Sequence, residues 1–205
     1  VKIELLSVYY FNEQNQYARS INMLDQLMQS FDSLNYQRHF FELKYTLARC
    51  LLFHKQYARS KVLMHDFSEY AHRKSKEYYS DRSEYYKSYS DYSTGNYTLA
   101  KIKVDSILTN TASHNHALND DAQMLRGLLI RKTFDRTDAI KYYDSLMNAA
   151  SSGTDNFYMR CLLRKVETMI DEHLSQEAYE LINDQLELYG DTFPTMVTYY
   201  LLANK

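Results

Sequence analysis

The phrase "QYARS" occurs twice in this chain, at residues 16–20 and 56–60, and "NYTLA" stands at the equivalent place, residues 96–100. The three stretches are spaced 40 residues apart. One apolar position recurs at the same step through the whole chain, at Leu27, Phe67, Ile107, Leu146 and Leu186. A step of 39 or 40 residues over five units predicts a repeat protein, because such a period is typical of stacked supersecondary units.

Each unit contains two helical patterns joined by a short polar turn. In the second unit, Leu43, Leu47 and Leu51 precede the turn "HKQ", and Tyr57 and Met64 follow it, at spacings that share one helix face. Short turns make consecutive helices antiparallel neighbours, and one Pro and four Gly leave few helix breakers. We therefore predict one all-α domain of five helical hairpins and a terminal helix, at residues 1–38, 39–76, 77–117, 118–154, 155–190 and 194–205.

The units resemble the tetratricopeptide repeat, in which a turn is followed by an aromatic and then a small residue. Here the turn is followed by Tyr17, Tyr57 and Tyr97 in the first three units. The small position of the second helix and its partner on the first helix are Ser20 with Val8, Ser60 with Ala48, Ala100 with Ser88, and Ala139 with Gly127. The period exceeds the family's usual length of about 34 residues, and HEAT or armadillo repeats, with roughly 40–47, are the alternative.

The resemblance implies a right-handed α–α superhelix whose concave face is lined by the first helices. Carried over to this chain, that face comprises Tyr9, Asn12, Tyr45, Arg49, Arg82, Tyr85, Tyr89, Tyr92, Met124, Arg131 and Arg164, with Leu52, Leu128 and Thr168 beside them. Tyr and Arg are enriched at binding hot spots, and Arg holds carboxylates in a two-point manner. The predicted partner is therefore a protein or peptide segment that carries acidic groups or a free carboxylate, although Tyr85 and Tyr89 could instead pack as core between hairpins.

Residues 77–97, "EYYSDRSEYYKSYSDYSTGNY", contain seven tyrosines and no Leu, Ile, Val, Phe or Met. Tyr78, Tyr85, Tyr89 and Tyr92 are separated by helical spacings, with Arg82 between them. The glycine at position 95 is expected to end the helix. We interpret the window as the first helix of the central hairpin, not as a disordered segment.

The sequence offers no constellation for catalysis or cofactor binding. Walker, nucleophile-elbow and Gly-rich phosphate motifs are absent from it. In "SHNHALNDD", residues 113–121, His114 and His116 favour a polar loop with Asn119 or Asp120 as helix cap over a metal site. Cys50 and Cys161 are each isolated in sequence and are predicted to be buried small residues. We predict a non-enzymatic module without cofactor or metal.

Net charge and hydropathy bear on whether this chain binds nucleic acid or spans a membrane. A net charge of −2 argues against a nucleic-acid binder, although Arg49, Arg82, Arg131 and Arg164 could form a local basic stripe, so this class stays as an alternative. No apolar run approaches the roughly 18 residues of a membrane span. The start at Val1 and the apolar end at 198–203 suggest a fragment of a longer protein.

The resemblance favours a sensor or regulatory interaction region of a bacterial signalling protein, either a histidine kinase or a transcriptional regulator. An output domain would then lie elsewhere on the same chain, and the location would be extracytoplasmic (periplasmic). The alternative within this class is a cytoplasmic, peptide-responsive regulator.

Overall fold

A computed structural model describes residues 2–30, 37–74, 77–111, 116–150 and 156–189. Over these ranges the chain forms ten α-helices and no strand. The helices are α1 (Lys2–Glu13), α2 (Tyr17–Ser30), α3 (Gln37–Phe53), α4 (Tyr57–Arg73), α5 (Glu77–Ser93), α6 (Tyr97–Thr111), α7 (His116–Thr133), α8 (Arg136–Ala149), α9 (Asn156–Asp171) and α10 (Ser175–Tyr189). The all-α prediction is confirmed, and the predicted terminal helix at 194–205 lies outside the described residues.

The turns inside the first three hairpins repeat one hydrogen-bond pattern. The backbone amide that follows the turn donates to a carbonyl five residues earlier at 2.8 Å, in the pairs Gln16–Phe11, Gln56–Leu51 and Asn96–Asp91. The residue before each donor has a positive φ, and these residues are Asn15, Lys55 and Gly95. This combination is a Schellman motif, which ends a helix and satisfies its last carbonyls. The repeated turn explains why the first helix of each of these three hairpins ends at the same place.

A single substitution in one of these turns should stabilise the protein. Lys55 has φ of 62°, in the left-handed region that glycine adopts without steric cost, whereas Gly95 at φ 84° already fills the equivalent place. Lys55→Gly should raise the free energy of unfolding by about 0.5–1 kcal/mol, measured by urea denaturation. The matched control is Gly95→Ala, where an added Cβ meets no atom within 4 Å, so backbone strain alone should lower stability by a similar amount.

Small residues let the two helices of a hairpin approach closely, as predicted. The hydroxyl of Ser20 donates to the carbonyl of Val8 at 3.3 Å, and the hydroxyl of Ser60 donates to the carbonyl of Ala48 at 2.7 Å. All four residues are fully buried. The recurring small residue therefore permits close helix packing and, in these two hairpins, also donates a buried hydrogen bond to the partner helix.

The helices form two compact units, residues 1–122 and 123–205. In the first unit, each helix from α1 to α5 packs against the next helix in the chain. The core of this unit contains Val8, Ile21, Leu24, Leu43, Leu47 and Leu51. In the second unit, α9 packs between α8 and α10, and the core contains Met124, Ala139, Tyr143, Leu162, Val166 and Ile182. Both cores are drawn from helix faces with apolar residues three or four apart.

Both cysteines are buried free thiols, as predicted. Burial raises the pKa of Cys50, and its thiol donates to the Asn12 side-chain oxygen at 3.3 Å. The prediction that Asn119 or Asp120 caps a helix is wrong, because α7 already begins at His116 and both residues lie inside it. His114 lies outside the described residues. Among the described helices, none is long and apolar enough to cross a bilayer.

Candidate ligand-binding clefts

Two adjoining clefts open on the first helices of the unit formed by residues 1–122. The first, the α3–α5 cleft, has a volume of about 320 Å³. Its lining combines aromatic rings with a few charged side chains: Tyr9, His39, Glu42, Leu43, Tyr45, Thr46, Arg49, Phe67, Tyr79, Arg82 and Tyr86. This mixture of apolar surface and convergent polar groups is the composition typical of a ligand site.

The aromatic rings of the α3–α5 cleft contact one another, in part edge to face. The ring of Tyr79 lies 5.9 Å from Tyr45 and 5.9 Å from Phe67, at interplanar angles of 84° and 86°. Tyr45 also lies 4.7 Å from Phe67. Edge-to-face geometry is favourable for aromatic pairs, so each ring holds its neighbours in place. The cleft wall is therefore a preformed aromatic surface, of which Tyr79 is 37% exposed.

The two arginines of this cleft have different electrostatic surroundings. Arg82 donates to the carboxylate of Asp121 at 2.6 Å, so its charge is compensated from α7. Arg49 is exposed, and its guanidinium lies 5.9 Å from the ring centroids of both Tyr45 and Tyr86. Within the part of the chain that the structure describes, no carboxylate forms an ion pair with Arg49. Arg49 therefore presents a cation supported by two aromatic faces.

The second opening, the α1–α3 cleft, has a volume of about 380 Å³. It is lined by Tyr9, Asn12, Glu13, Tyr17, Thr46, Arg49, Cys50 and Phe53. Phe53 is 48% exposed and stacks on Tyr17 with centroids 5.5 Å apart. Because Tyr9, Thr46 and Arg49 line both clefts, the two openings form one continuous surface along α3.

The tyrosines predicted to form a stripe on α5 lie outside the two clefts, whereas Tyr45 and Arg49 of α3 line the α3–α5 cleft. Tyr85 and Tyr89 are half-buried and pack against a cluster that includes Leu52, which is 2% exposed. Tyr92 lies 6.3 Å from Tyr89 and 5.8 Å from Tyr97. These rings do not line either cleft, and the side chain of Tyr78 lies outside the described residues.

The candidate residues of the unit at 123–205 form packing contacts and ion pairs. Met124 is 6% exposed and its sulfur lies 3.7 Å from the sulfur of Cys161. Thr168 is fully buried, and Leu128 is half-buried. Arg131 forms ion pairs with Glu167 and Asp171, and Arg164 donates to Glu167 at 2.7 Å. The hydrogen bond from Arg131 holds the pKa of Asp171 below its ordinary value.

Four of the predicted residues come together on the α3–α5 cleft, namely Tyr9, Tyr45, Arg49 and Arg82, and Asn12 lines the adjoining one. Sequence reasoning did not include Thr46, Tyr79 and Tyr86 in the site. Tyr79 and Tyr86 lie three residues before and four after Arg82, which is also a helical spacing. The sequence therefore contained a helical spacing that could have identified Tyr79 and Tyr86. Tyr85 and Tyr89 show an equally good helical spacing, so the two pairs could not be told apart.

The clefts contain the groups for non-covalent recognition. Arg49 and the hydroxyl of Thr46 are polar, whereas Tyr79, Tyr86 and Phe53 supply apolar area. Among the described residues, no group of three or more His, Cys, Asp or Glu side chains could hold a metal ion. The arrangement can bind a side chain or a short chain segment by aromatic contact and charge.

No protein-family model matches the sequence, and no curated protein sequence matches it. Solved structures do match. A single-substitution variant of the TPR-like repeats of a kinesin light chain candidate from Podospora anserina aligns over 93% of this chain and 95% of its own, with a TM-score of 0.69 and 11% identity. A second structure of these repeats gives a TM-score of 0.64 at 11% identity, over 91% and 93% of the two chains.

The apo form of the quorum sensor NprR from B. thuringiensis aligns over 94% of this chain, with a TM-score of 0.73 and 17% identity. The alignment covers 55% of the NprR chain, so this chain spans about half of its length. These likenesses lie in the fold. The chain has a tetratricopeptide-like helical-repeat fold. The resemblance to the tetratricopeptide repeat drawn from the small residues and the turns is thereby confirmed.

Proposed function

We propose that this chain is a non-enzymatic repeat module that binds a protein or peptide segment in the α3–α5 and α1–α3 clefts. The observation that carries the proposal is the continuous aromatic surface along α3, with the exposed Arg49 guanidinium at its centre. From Glu42 to Phe53 this surface extends about 16 Å along the helix axis. That length accommodates about five residues of an extended chain.

We further propose that binding here regulates a bacterial signalling protein. The likeness to the quorum sensor NprR supports a sensing role for this kind of helical array. Such a protein could be a histidine kinase, a transcriptional regulator or a cytoplasmic peptide-responsive regulator. In each of them, the repeats would hold the bound segment. The output domain would lie outside these 205 residues.

A nucleic-acid-binding function has less support. Such a function needs a basic surface whose lysines and arginines are available to phosphates. Of the four candidate arginines, Arg82, Arg131 and Arg164 each form an ion pair with a carboxylate of the same unit. Arg49 alone would neutralise one phosphate, whereas nucleic-acid binding draws on several such contacts.

The experiment uses the full chain and a random peptide library. Selected peptides should lose about tenfold or more in affinity when Thr46→Trp fills the surface shared by both clefts, as measured by fluorescence anisotropy. Thr46 is the preferred position because it is half-buried, lines both clefts and lies outside the core clusters.

The matched control is Val62→Trp, which adds the same ring on α4 at a side chain that is 63% exposed. It should leave the affinity of the peptides unchanged. The proposal fails if the library yields no peptide whose binding distinguishes Thr46→Trp from Val62→Trp.

A further inference from the structure

The chemistry around Arg49 indicates what the bound segment should contain. Arg49 lies at the junction of the two clefts and lines both of them. Its guanidinium lies 5.9 Å from the rings of Tyr45 and Tyr86, which hold the cation at the surface of α3. A carboxylate is the group that matches a guanidinium in both charge and two-point hydrogen bonding. The position of Arg49 therefore fixes where an acidic side chain of the ligand would lie.

The acids that line the two clefts favour a ligand with one carboxylate. Glu42 lines the α3–α5 cleft, and Glu13 lines the α1–α3 cleft. In an extended segment, side chains two residues apart share a face, so a second acidic side chain two residues from the first would enter one of these clefts together with its glutamate. Like charges at short range are unfavourable. This placement therefore favours a single acidic group on the bound face of the ligand.

The α1–α3 cleft provides a place for a bulky apolar group. Phe53 is 48% exposed, stacks on Tyr17 and lies one helical turn after Arg49. One turn corresponds to about 6 Å along α3. Side chains two residues apart on an extended segment lie on the same face at nearly the same spacing, about 6.6 Å. An acidic residue over Arg49 therefore places the second residue beyond it against the Tyr17–Phe53 pair.

We propose that the ligand carries a single acidic residue and a bulky apolar residue two positions apart, the acid bound by Arg49 and the apolar side chain by Tyr17 and Phe53. This inference rests on the function proposed above.

The test uses the full chain and a labelled synthetic peptide that contains Asp-Ser-Phe in a neutral Gly/Ser frame. Replacing Asp by Asn in the peptide, or Phe by Ser, should weaken binding by about tenfold each. With Arg49→Gln, the Asp and Asn peptides should bind equally, because the group that distinguishes them is gone. Arg59→Gln is the control, since Arg59 is an exposed arginine of α4 that lines neither cleft.

A third variant tests the limit to one acid. In the peptide Asp-Ser-Asp-Ser-Phe, the added Asp lies two residues from the first Asp, on the same face, and on the side away from Phe, where Glu42 lines the α3–α5 cleft. Glu42→Gln should strengthen the binding of this two-acid peptide and should change the single-acid peptide less. An unchanged preference for Asp over Asn in Arg49→Gln overturns the inference, as does an unchanged affinity when Phe is removed from the peptide.

The two proposals fail in different ways. If the Asp-Ser-Phe peptide does not bind while library peptides without this pattern bind in a manner that Thr46→Trp abolishes, the ligand pattern is wrong and the binding function stands. If no peptide binds in a manner sensitive to Thr46→Trp, both proposals are overturned.

Discussion

Gly127→Val should lower the free energy of unfolding by about 3 kcal/mol, because the added side chain overpacks the contact between two helices. A Cβ on Gly127 would lie 2.5–2.6 Å from three atoms of the Tyr143 ring and hydroxyl. Tyr143 is fully buried, so its ring has no open space to move into. The glycine is therefore required by the close approach of α8 to α7 and not by backbone conformation.

A double-mutant comparison isolates this contact. Tyr143→Leu shortens the side chain and creates a cavity of its own, but it removes the ring atoms that a Cβ at Gly127 would meet. Gly127→Val combined with Tyr143→Leu should therefore lose less stability than the two single changes added together, as measured by urea denaturation. Additive losses in the free energy of unfolding would mean that the steric contact with Tyr143 does not cause the destabilisation by Gly127→Val.

The second large effect is expected at Asp91. Its side chain is 1% exposed and is paired with two lysines, one from each neighbouring helix: Lys61 of α4 and Lys103 of α6, the latter at 2.7 Å. Asp91→Ala leaves both ammonium groups without their common carboxylate, but Lys61 is 40% and Lys103 22% exposed, so both retain part of their hydration. The substitution should lower the free energy of unfolding by about 2 kcal/mol. Asp66→Ala is the control, because Asp66 is 44% exposed and pairs with Lys44, so its loss should stay below about 1 kcal/mol.

The contribution of Asp91 should depend on pH in a defined direction. Burial alone would raise the pKa of Asp91, but hydrogen bonds from Lys103 and Lys61 and the charges of these lysines outweigh it and hold the pKa below its ordinary value. A carboxyl group whose pKa is lowered by folding stabilises the protein above its unfolded pKa, about 3.9, and loses this contribution as the pH falls through the folded value. The stability gap between the native chain and Asp91→Ala should therefore close only in acid. A gap independent of pH would indicate packing instead of charge.

The repeat period and the hairpins could be predicted because they depend on local chemistry. Turn residues, small contact residues such as Ser60, and apolar spacings are all visible within one unit. The end of α5 just before Gly95 follows from the same local preference. These features need no knowledge of how the units stack.

The ion pairs that join different hairpins could not be predicted in the same way, because their two partners come from different units of the repeat. Asp91 is separated by 30 residues from Lys61, and Arg82 by 39 from Asp121. A scan for opposite charges one repeat length apart would have found Arg82 with Asp121 and Arg131 with Asp171, since equivalent positions of successive units become neighbours. Buried Asp91 has no such periodic signal.

Only part of the candidate site could be predicted, because sequence periodicity does not show how the helices pack against one another. Arg49 and Tyr45 share a face that the spacing identifies, and both line the α3–α5 cleft. On α5, two stripes of tyrosine flank Arg82 with equally good helical spacing. Periodicity places residues on a common face but does not say which face meets the neighbouring helix, so Tyr79 and Tyr86 could not be separated from Tyr85 and Tyr89.

A peptide bound along the first helices of residues 1–122 should be visible by amide chemical-shift mapping of the full chain, with and without a library-selected peptide. We expect the largest shifts in α1, α3 and α5, around Thr46, Arg49 and Tyr79. Exposed Val62 lies on α4, one of the second helices. Shifts confined to these second helices, α2, α4 and α6, would contradict binding along the first helices.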